Sequence, residues 1–339
     1  MTFANASHFA ALAVPSTGPD GRDVVIAIVK ATFVRRRDGR AALADQQAPV
    51  RVVDEPHFPE MPESSVRYPS DICIEKRGTD VVVVGDAIAR RPTSVLDISA
   101  RVRDRDVLLR VHGERVYYRG GAGIVVGPAA PFERKAIVYE RAYGGTSADL
   151  ATVERRNPVG RGIARVAGEL AGTTAPQIEH PARPILSAED RPNPVGLGAL
   201  GGHWLPRCGY AGTFDDTWLR SRMPLMPLDF DLRFNNVAHP DLQFEDPLVA
   251  GDRVSILGMH EDGLWGFDVP AVPVQVCARL HDGRRITVHP AIDTVLLEPG
   301  KDEVQLTFRQ AFPIGRGKSL LREIRVDEHE APHQEGRAS

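Results

Sequence analysis

The densest group of polar side chains in this sequence lies between residues 233 and 241. Arg233 is followed by Asn235 and Asn236, and Asp241 ends the group. Asparagine side chains tie irregular backbone through hydrogen bonds, so the first interpretation is a loop held in place by its own amides. The second interpretation is a recognition site in which the Arg233 guanidinium pairs with a carboxylate or a backbone carbonyl of a partner.

A second group with the same two interpretations is the sequence YERAYGG at residues 139–145. Tyr139 and Arg141 are of the residue types that anchor protein interfaces. Glu140 beside Arg141 can equally form a buried polar network that holds a loop. Both interpretations stay open at this stage.

Several paired carboxylates raise the question of general acid–base chemistry. The pairs are Asp215 with Asp216, Asp229 with Asp231, and Glu245 with Asp246. Acids are common at turns and helix starts, which favours structural roles for all three pairs. The alternative is a carbohydrate-active or other hydrolytic enzyme on a β scaffold. That enzyme would require Glu140, Asp231 and Asp241 to converge in one cleft.

Two well-known motifs of nucleotide-binding proteins and hydrolases are missing from this sequence. There is no Walker sequence and no G-x-S-x-G nucleophile turn. Gly196 and Gly198 lie in a proline-rich stretch, which indicates a turn and not a nucleotide-binding loop. The three cysteines are far apart and odd in number, which favours reduced, buried thiols. His203 with Cys208 falls short of a four-ligand zinc site. We therefore predict no catalytic residue, no cofactor and no metal.

The net charge and the hydropathy of the sequence disfavour two classes of partner, nucleic acids and membranes. Lys and Arg total 42 against 45 Asp and Glu, a net charge of -3, so the basic excess typical of nucleic-acid binding is missing. No segment approaches the roughly 18 to 20 apolar residues that cross a bilayer. The apolar stretch at residues 9–14 is too short for a signal peptide and follows no basic region. We expect a cytoplasmic protein with neither nucleic acid nor membrane as partner.

The clearest strand pattern covers residues 94–118, where apolar and polar side chains alternate. Alternation with a period of two predicts half-buried strands. A four-residue loop would place Val102 opposite Val107, and a second such loop would place Val111 opposite Val116. This register puts the apolar side chains of three successive strands on one face of a sheet.

Further strands are predicted on both sides of this meander. β-branched runs without alternation predict strands that are buried on both faces. These runs are residues 24–34 and 81–84, and two hairpins follow downstream: residues 274–280 with 286–289, pairing Leu280 with Ile286, and residues 293–297 with 304–308, pairing Val295 with Leu306.

The central part of the chain, residues 139–245, is rich in Gly, Pro and Arg and has few periodic stretches. One short helix is predicted near residues 213–223, with Thr213 as its N-cap and Pro224 as its stop. An irregular segment this long inside a compact protein usually carries function or an interface.

A short repeat lies within the central segment. The sequence NPVGRG at 157–162 is followed by NPVGLG at 193–198. Asn before Pro and the following glycines indicate tight turns. The two copies are interpreted either as two similar turns or as two equivalent loops that present backbone amides to a ligand.

The predicted fold class is mainly β, with two packed β-sandwich-like units, a long irregular central segment and one or two short helices. The predicted parts are an N-terminal β-sandwich-like region at 1–138, the central segment at 139–245, a C-terminal β region at 246–325 and a flexible tail at 326–339.

Six motifs occur in an order that is similar to a known family. They are DVVVVGDA (80–87), YERAYGG (139–145), NPVGRG (157–162), AGTFDDTWL (211–219), P-L-x-P-x-D-F-D (224–231) and RFNNVAHPDLQ (233–243). Together they resemble the bacterial domain-of-unknown-function family 2169 (DUF2169), over about residues 5–320. By this resemblance the signature positions are Tyr139, Glu140, Arg141, Asn157, Arg233, Asn235, Asn236, Asp241 and Gln243. Tyr143 stands where the family resemblance leads us to expect Phe, and Asn235 where a second aromatic residue is common.

The resemblance implies a function that the residues alone do not reveal. Members of the family look like adaptors or chaperones of type VI secretion, which help to load effectors onto the VgrG or PAAR spike. We therefore expect a non-enzymatic, protein-binding adaptor whose partners are type VI effector or PAAR/VgrG spike proteins, with the signature positions either contacting the partner or holding loops. The alternatives are the hydrolytic enzyme described above and a structural component of the secretion apparatus.

Overall fold

The structure, a computed structural model, describes residues 1–121 and 123–328. Short strands separated by turns make up the N-terminal part, as the many Gly and Pro residues predict. In chain order these strands are β1 (Thr2–Asn5), β2 (Ala10–Thr17), β3 (Asp23–Arg35), β4 (Ala41–Leu43), β5 (Glu55–Pro56), β6 (Val66–Tyr68), β7 (Thr79–Val83), β8 (Asp86–Thr93), β9 (Val95–Val102), β10 (Arg105–His112), β11 (Tyr117–Gly120), β12 (Gly123–Val126) and β13 (Phe132–Ala136).

The rest of the chain has fewer regular elements until residue 253. The strands are β14 (Tyr143–Gly144), β15 (Arg161–Gly162), β16 (Ile178–Glu179), β17 (Gln243–Phe244), β18 (Arg253–Leu257), β19 (Leu264–Asp268), β20 (Val274–Leu280), β21 (Arg285–Val288), β22 (Ile292–Glu298), β23 (Glu303–Pro313) and β24 (Leu321–Glu328). The α-helix is α1 (Asp216–Ser221), and single 3-10 turns lie at Tyr139–Arg141, Ala167–Leu170, Arg207–Tyr210, Leu232–Asn235, Pro240–Leu242, Pro299–Lys301 and Gly317–Ser319. The mainly β fold class with short helices is confirmed.

A seven-stranded sheet forms the centre of the fold. Its strand order is β17-β7-β22-β23-β3-β2, with β4 paired to β3 off this path. Residues 25–33 of β3 are buried without interruption, so this strand is covered on both faces as its β-branched sequence predicts. The run at 81–84 is likewise buried, within and just after β7.

A five-stranded sheet, β16-β10-β9-β18-β19, combines strands from distant parts of the sequence. Ala100 in β9 lies between Val107 of β10 on one side and Ile256 of β18 on the other. The outer edge of β10 pairs with Ile178, which belongs to the central segment. The boundaries predicted at 138 and 246 therefore mark a change in amino-acid composition. Strands from both sides of each boundary belong to the same sheets.

A four-stranded sheet, β1-β24-β20-β21, joins the two ends of the described chain. Strand β1 runs parallel to β24, pairing Phe3 with Ile324. Because β24 extends to Glu328, residues 326–328 belong to a strand and not to the predicted tail. The remainder of that tail, 329–339, lies outside the described residues.

One continuous hydrophobic core contains side chains from all three of these sheets. Val29 of the seven-stranded sheet, Ile98 of the five-stranded sheet and Val276 of the four-stranded sheet belong to the same cluster of buried residues. Among the described residues there is no helix with the length and apolar character needed to cross a membrane.

The β9–β10 hairpin is present, but its predicted register was wrong by two residues. Val107 pairs with Ala100 and not with Val102, which pairs instead with Arg105. The turn contains only Arg103 and Asp104, because Arg103 adopts a left-handed backbone with φ 54°. A shift of two residues keeps every side chain on its predicted face, so the apolar pattern alone could not detect it.

The predicted third strand of this meander was wrong. Val116 makes an isolated bridge to Thr174 and is 48% exposed. Strand β11 pairs with β12 in a separate two-stranded sheet. The side of β10 that was assigned to it is occupied by β16 from the central segment, which can satisfy the same backbone groups.

The two C-terminal hairpins are both present. The predicted pairing of Val295 with Leu306 is confirmed. In the β20–β21 hairpin the register again differs by two residues, since Ile286 pairs with Ala278 and not with Leu280. The turn is shorter than predicted, because the Leu280 amide donates to the carbonyl of Arg284 at 2.9 Å and leaves only residues 281–283 between the two.

The predicted helix near 213–223 is shorter than expected and starts later. Its N-cap is Asp215, whose carboxylate accepts a hydrogen bond from the Trp218 amide at 2.8 Å. The proposed cap, Thr213, instead donates its hydroxyl to Asp229 at 2.7 Å. Asp is as good an N-cap as Thr, and the long-range bond to Asp229 decides between them.

Candidate functional site

The central segment is held together from inside by Asn157. This residue is fully buried, and its side-chain amide donates to the carbonyls of Tyr139 and Tyr143, both at 2.9 Å. Gly144 passes so close that a Cβ there would lie 2.3 Å from the Asn157 carbonyl oxygen, and its φ is 145°. Asn157 therefore joins two turns and holds its loop in place.

The Glu140 side chain also holds the local structure in place. Its carboxylate is buried and accepts hydrogen bonds from the Ser65 amide and the Ser65 hydroxyl, each at 2.7 Å, and from the Ser64 hydroxyl at 3.2 Å. The Glu140 carbonyl accepts from the Arg161 guanidinium at 3.0 Å. The Arg141 guanidinium, by contrast, makes one long hydrogen bond within the described part of the chain, to the Gln177 side chain at 3.4 Å.

Tyr139 packs its ring edge-to-face against Trp204, with ring centroids 5.4 Å apart. Burial raises the pKa of the Tyr139 hydroxyl far above its usual range. Gly196 lies against this ring, and a Cβ at Gly196 would stand 2.6 Å from it. The second copy of the NPVG repeat thus packs on Tyr139, whereas Asn193 in that copy is exposed. The two copies are therefore not equivalent loops.

Two asparagines attach the segment 233–243 to the seven-stranded sheet. The Asn236 amide donates to the carbonyl of Arg77 and to the carboxylate of Asp80, both at 3.0 Å. Asp80 also accepts from the Val237 amide at 2.7 Å. Asn235 donates to the carbonyl of Glu75 at 2.7 Å.

Arg233 is half exposed and forms a local ion pair. Its guanidinium binds the carboxylate of Asp231 at 2.6 and 2.9 Å, and it lies 4.3 Å from the centroid of the Tyr210 ring. The hydrogen bonds from Arg233 lower the pKa of Asp231 to about 2. Arg233 is thus already paired within the loop and holds that loop against Tyr210.

The last two signature positions lie at the start of β17. Gln243 donates its side-chain amide to the carbonyl of Ala238 at 2.8 Å. Asp241 has an exposed side chain, and its backbone carbonyl accepts from Arg105 of β10 at 3.2 Å. The His239 ring stands 3.5 Å from the Asp241 carboxylate. Of these groups, the Asp241 carboxylate is the one free to meet a ligand.

A cleft of about 640 Å³ opens within the central segment, between Tyr139 and Asp241. All of its lining residues lie between positions 139 and 241. We call it the arginine cleft, because three arginines and two histidines face it: Arg156, Arg183, Arg191, His180 and His239. Its apolar walls include Val195, Leu200 and Leu205 together with four prolines.

The three arginines of the cleft differ in how far they are already engaged. Arg156 binds the Glu154 carboxylate at 2.6 Å and the side chain of Asn193. Within residues 1–121 and 123–328, the Arg191 guanidinium donates only to the Tyr143 hydroxyl, at 3.4 Å. In the part of the chain that the structure describes, the exposed guanidinium of Arg183 has no side-chain partner.

The sequence singled out Tyr139 and Asp241, which line the cleft, but it did not single out the three arginines. The available signal was the arginine-rich composition of residues 139–245, which marks a region without indicating individual side chains. The arginines come from separate loops, and only the fold brings them together.

Residues 212–230 form a closed loop around α1, which we call the apolar loop. Its ends meet where the Thr213 amide and hydroxyl bind the Asp229 carboxylate at 2.9 and 2.7 Å. Inside it, the indole of Trp218 donates to the carbonyl of Leu225 at 2.8 Å. Five large apolar side chains of this loop are between 42% and 85% exposed: Phe214, Leu219, Met223, Met226 and Leu228.

Potential metal ligands are dispersed in the described ranges 1–121 and 123–328, where three or more do not come together. The ring of His203 accepts a hydrogen bond from the indole of Trp204 at 2.9 Å. The three cysteines are unpaired and half-buried, so they are less enclosed than expected. One match to the zinc-binding pattern H-E-x-x-H, HEAPH at 329–333, lies outside the described residues.

Comparison with protein families gives one match. The model of a family described as an uncharacterized protein conserved in bacteria (DUF2169) matches residues 20–309. The chain belongs to this family. No curated protein matches it, and no solved structure does either.

The DUF2169 match extends from just before β3 into β23, so it contains the arginine cleft and the apolar loop. It also includes most of both large sheets. The family region therefore covers most of the shared core, and the central segment lies wholly within it.

Proposed function

We propose that this DUF2169 protein is a non-enzymatic adaptor or chaperone that binds other proteins. In this proposal it acts in the cytoplasm of a bacterium with type VI secretion and helps to load effector or PAAR/VgrG spike proteins. The observation that carries the protein-binding function is the apolar loop with its five exposed side chains. The secretion context rests on the family resemblance of the sequence motifs.

The apolar loop has the properties of a docking surface. Large apolar side chains gathered at the surface lose contact with water when a partner covers them, which favours association. Two of the five are methionines, whose flexible side chains adapt to differently shaped partners. The bonds from Thr213 to Asp229 and from Trp218 to Leu225 hold the loop in shape, so little conformational entropy remains to be lost on binding.

The environments of the candidate carboxylates favour binding over hydrolysis. A general acid must hold a proton near neutral pH. The pKa of Asp231 is lowered to about 2 by Arg233, so this carboxylate stays ionised. The Glu140 carboxylate is already occupied by Ser64 and Ser65 in the interior. Both groups serve the local structure.

Affinity capture from the native bacterium tests this function. A tagged native chain is compared with a variant carrying Met223→Ser and Leu228→Ser in the apolar loop. Burial of each of these side chains against a partner contributes about 1.5–3 kcal/mol to the free energy of binding. We therefore expect the variant to capture at least ten-fold less effector or spike protein.

The matched control carries Val52→Ser and Val53→Ser, two apolar residues outside the loop that are 58% and 65% exposed. This control should capture as much as the native chain. Equal capture by the loop variant would contradict the docking surface. A set of captured proteins without any type VI component would contradict the secretion role.

A further inference from the structure

The arginine cleft carries positive charge, which has no role in client binding by the apolar loop. Three arginines and two histidines face it, against the single carboxylate of Asp241. Arginine guanidinium groups bind carboxylates through two parallel hydrogen bonds, and such groups are common where proteins recognise acidic partners. A cleft with this lining attracts anions.

Arg183 and Arg191 are the groups available to a ligand. Arg156 is already neutralised by Glu154, at 2.6 Å, so it forms a wall of the cleft. Arg191 makes one weak hydrogen bond, of 3.4 Å, to the Tyr143 hydroxyl. The side chain of Arg183 is exposed and without an ion pair among the described residues. Two guanidinium groups that have no carboxylate partner among the described residues suit two carboxylates or one bidentate carboxylate.

The rest of the lining disfavours phosphate as the anion. Phosphate sites usually present several backbone amides to the ligand. Four prolines line this cleft and have no backbone N–H to offer: Pro192, Pro194, Pro206 and Pro240.

The apolar lining residues and the volume of the cleft indicate which groups of the ligand lie beside its carboxylates. Val195, Leu200 and Leu205 provide surface for aliphatic side chains. A cleft of about 640 Å³ is in the range that encloses small ligands or a few residues of peptide. The ligand therefore combines acidic and aliphatic groups.

We infer that the arginine cleft binds an extended acidic segment of a partner protein, with carboxylates on Arg183 and Arg191 and aliphatic side chains on the leucines. This inference rests on the proposed function and deepens it. It adds a second, charge-selective contact to the apolar loop, and charge complementarity of this kind contributes specificity.

An array of random hexapeptides tests the inference with the full-length chain. We expect the bound peptides to be enriched in Asp and Glu next to aliphatic residues. The double variant Arg183→Ala with Arg191→Ala should bind these peptides at least ten-fold more weakly, because each charge-assisted hydrogen bond contributes about a factor of ten. Arg183→Lys keeps the charge without the planar fork and should lie between the two.

Three controls make the test specific. Arg37→Ala removes an exposed arginine outside the cleft and should leave binding unchanged. Inorganic phosphate at millimolar concentration should displace the peptides only as far as chloride at equal ionic strength does. Unfolding curves that match the native chain would show that the arginine variants are folded.

The outcomes separate this inference from the proposed function. An array without acidic enrichment, unchanged binding by the double arginine variant, or selective displacement by phosphate would overturn the inference. None of these results affects capture of clients by the apolar loop. Conversely, the Met223→Ser and Leu228→Ser variant should lose its clients and still bind the acidic peptides.

Discussion

Asn157 and Asn193 occupy equivalent places in the NPVG repeat but have opposite environments. The Asn157 amide lies between two backbone carbonyls in the interior. Asn193 is exposed at the rim of the arginine cleft, where its side-chain oxygen accepts a hydrogen bond from Arg156. The same side chain is therefore a buried structural bond in one copy and a surface group in the other.

Replacing these asparagines should have very different effects on stability. Asn157→Ala removes the buried side-chain donor to the carbonyls of Tyr139 and Tyr143 and empties its place between two turns, so we expect the free energy of unfolding to fall by about 2–4 kcal/mol. Asn193→Ala, the matched control, should change it by less than about 1 kcal/mol. Urea titrations of both variants measure the two values. Similar losses in the two variants would argue against the role given to Asn157.

Buried ion pairs lie on one face of the seven-stranded sheet. Lys30 binds Asp71, Arg309 binds Asp293 at 2.6 Å, and Lys76 binds Asp80 at 2.7 Å. Charges removed from water require partners of this kind, since an isolated buried charge is strongly unfavourable. These pairs fix the segment before β7 against the sheet.

Lys30 should make stability depend on pH in the alkaline range. Burial lowers its pKa from 10.5 to about 8, although Asp71 acts in the opposite direction. Between these two values the unfolded chain binds a proton that the folded chain has released. The contribution of Lys30 to stability therefore rises with pH through this window and is lost as pH falls through about 8.

Comparison of the native protein with Lys30→Met isolates this contribution. The free energy of unfolding of the native protein, minus that of the variant, should increase between pH 8 and 10.5. Denaturant titrations at several pH values measure the difference. A difference that stays constant across the window would show that Lys30 does not titrate there.

At the scale of elements, the β9–β10 hairpin depends on contacts made far from it. Arg103 in its two-residue turn binds the Asp252 carboxylate at 2.6 Å and the carbonyl of Pro247 at 2.6 Å. These partners lie about 150 residues away in sequence, in the approach to β18. The turn is thus set by tertiary contacts as well as by its own residues.

Disulfide formation distinguishes the observed register from the one predicted by alternation. Ser99 and Leu108 pair directly and are not deeply buried, so Ser99→Cys with Leu108→Cys should form a disulfide on mild oxidation. Arg101→Cys with Leu108→Cys, which the predicted register places opposite each other, should form it poorly, since diagonal neighbours are about 7–8 Å apart. Peptide mapping after oxidation gives the yields. A higher yield from the second pair would contradict the observed register.

At the scale of the whole molecule, the sheets depend on strands from both ends of the chain. Strand β7 pairs in parallel with β22, joining Val81 to Val295. Strand β9 pairs with β18, joining Ala100 to Ile256. Such pairings between distant segments make the region 1–138 dependent on residues after 246.

A chain truncated after residue 245 should therefore fail to fold cooperatively. It would expose the paired edges of β7 and β9 and remove part of the common core. We expect no sharp thermal transition in near-ultraviolet circular dichroism, where the full chain shows one. A truncated chain with a Tm close to that of the full chain would mean that the N-terminal region is an independent unit.

The sequence by itself determined the mainly β class, the location of the long strands and the Val295–Leu306 pairing. Period-two alternation and β-branched runs are local properties, and they report which face of a strand is buried. The motif set also predicted the family that the family comparison then showed.

The tertiary structure decided the strand registers, which distant strands pair in one sheet, and the role of each polar residue. A two-residue shift of Val107 leaves the apolar face unchanged, so hydropathy cannot specify it. Whether Asn157 or Asn193 is buried depends on which loops pack around each. Arg183 and Arg191 face a cleft only because loops near residues 139, 156, 205 and 240 pack around them. Contacts of this kind follow from three-dimensional packing, and they have no signature in local sequence.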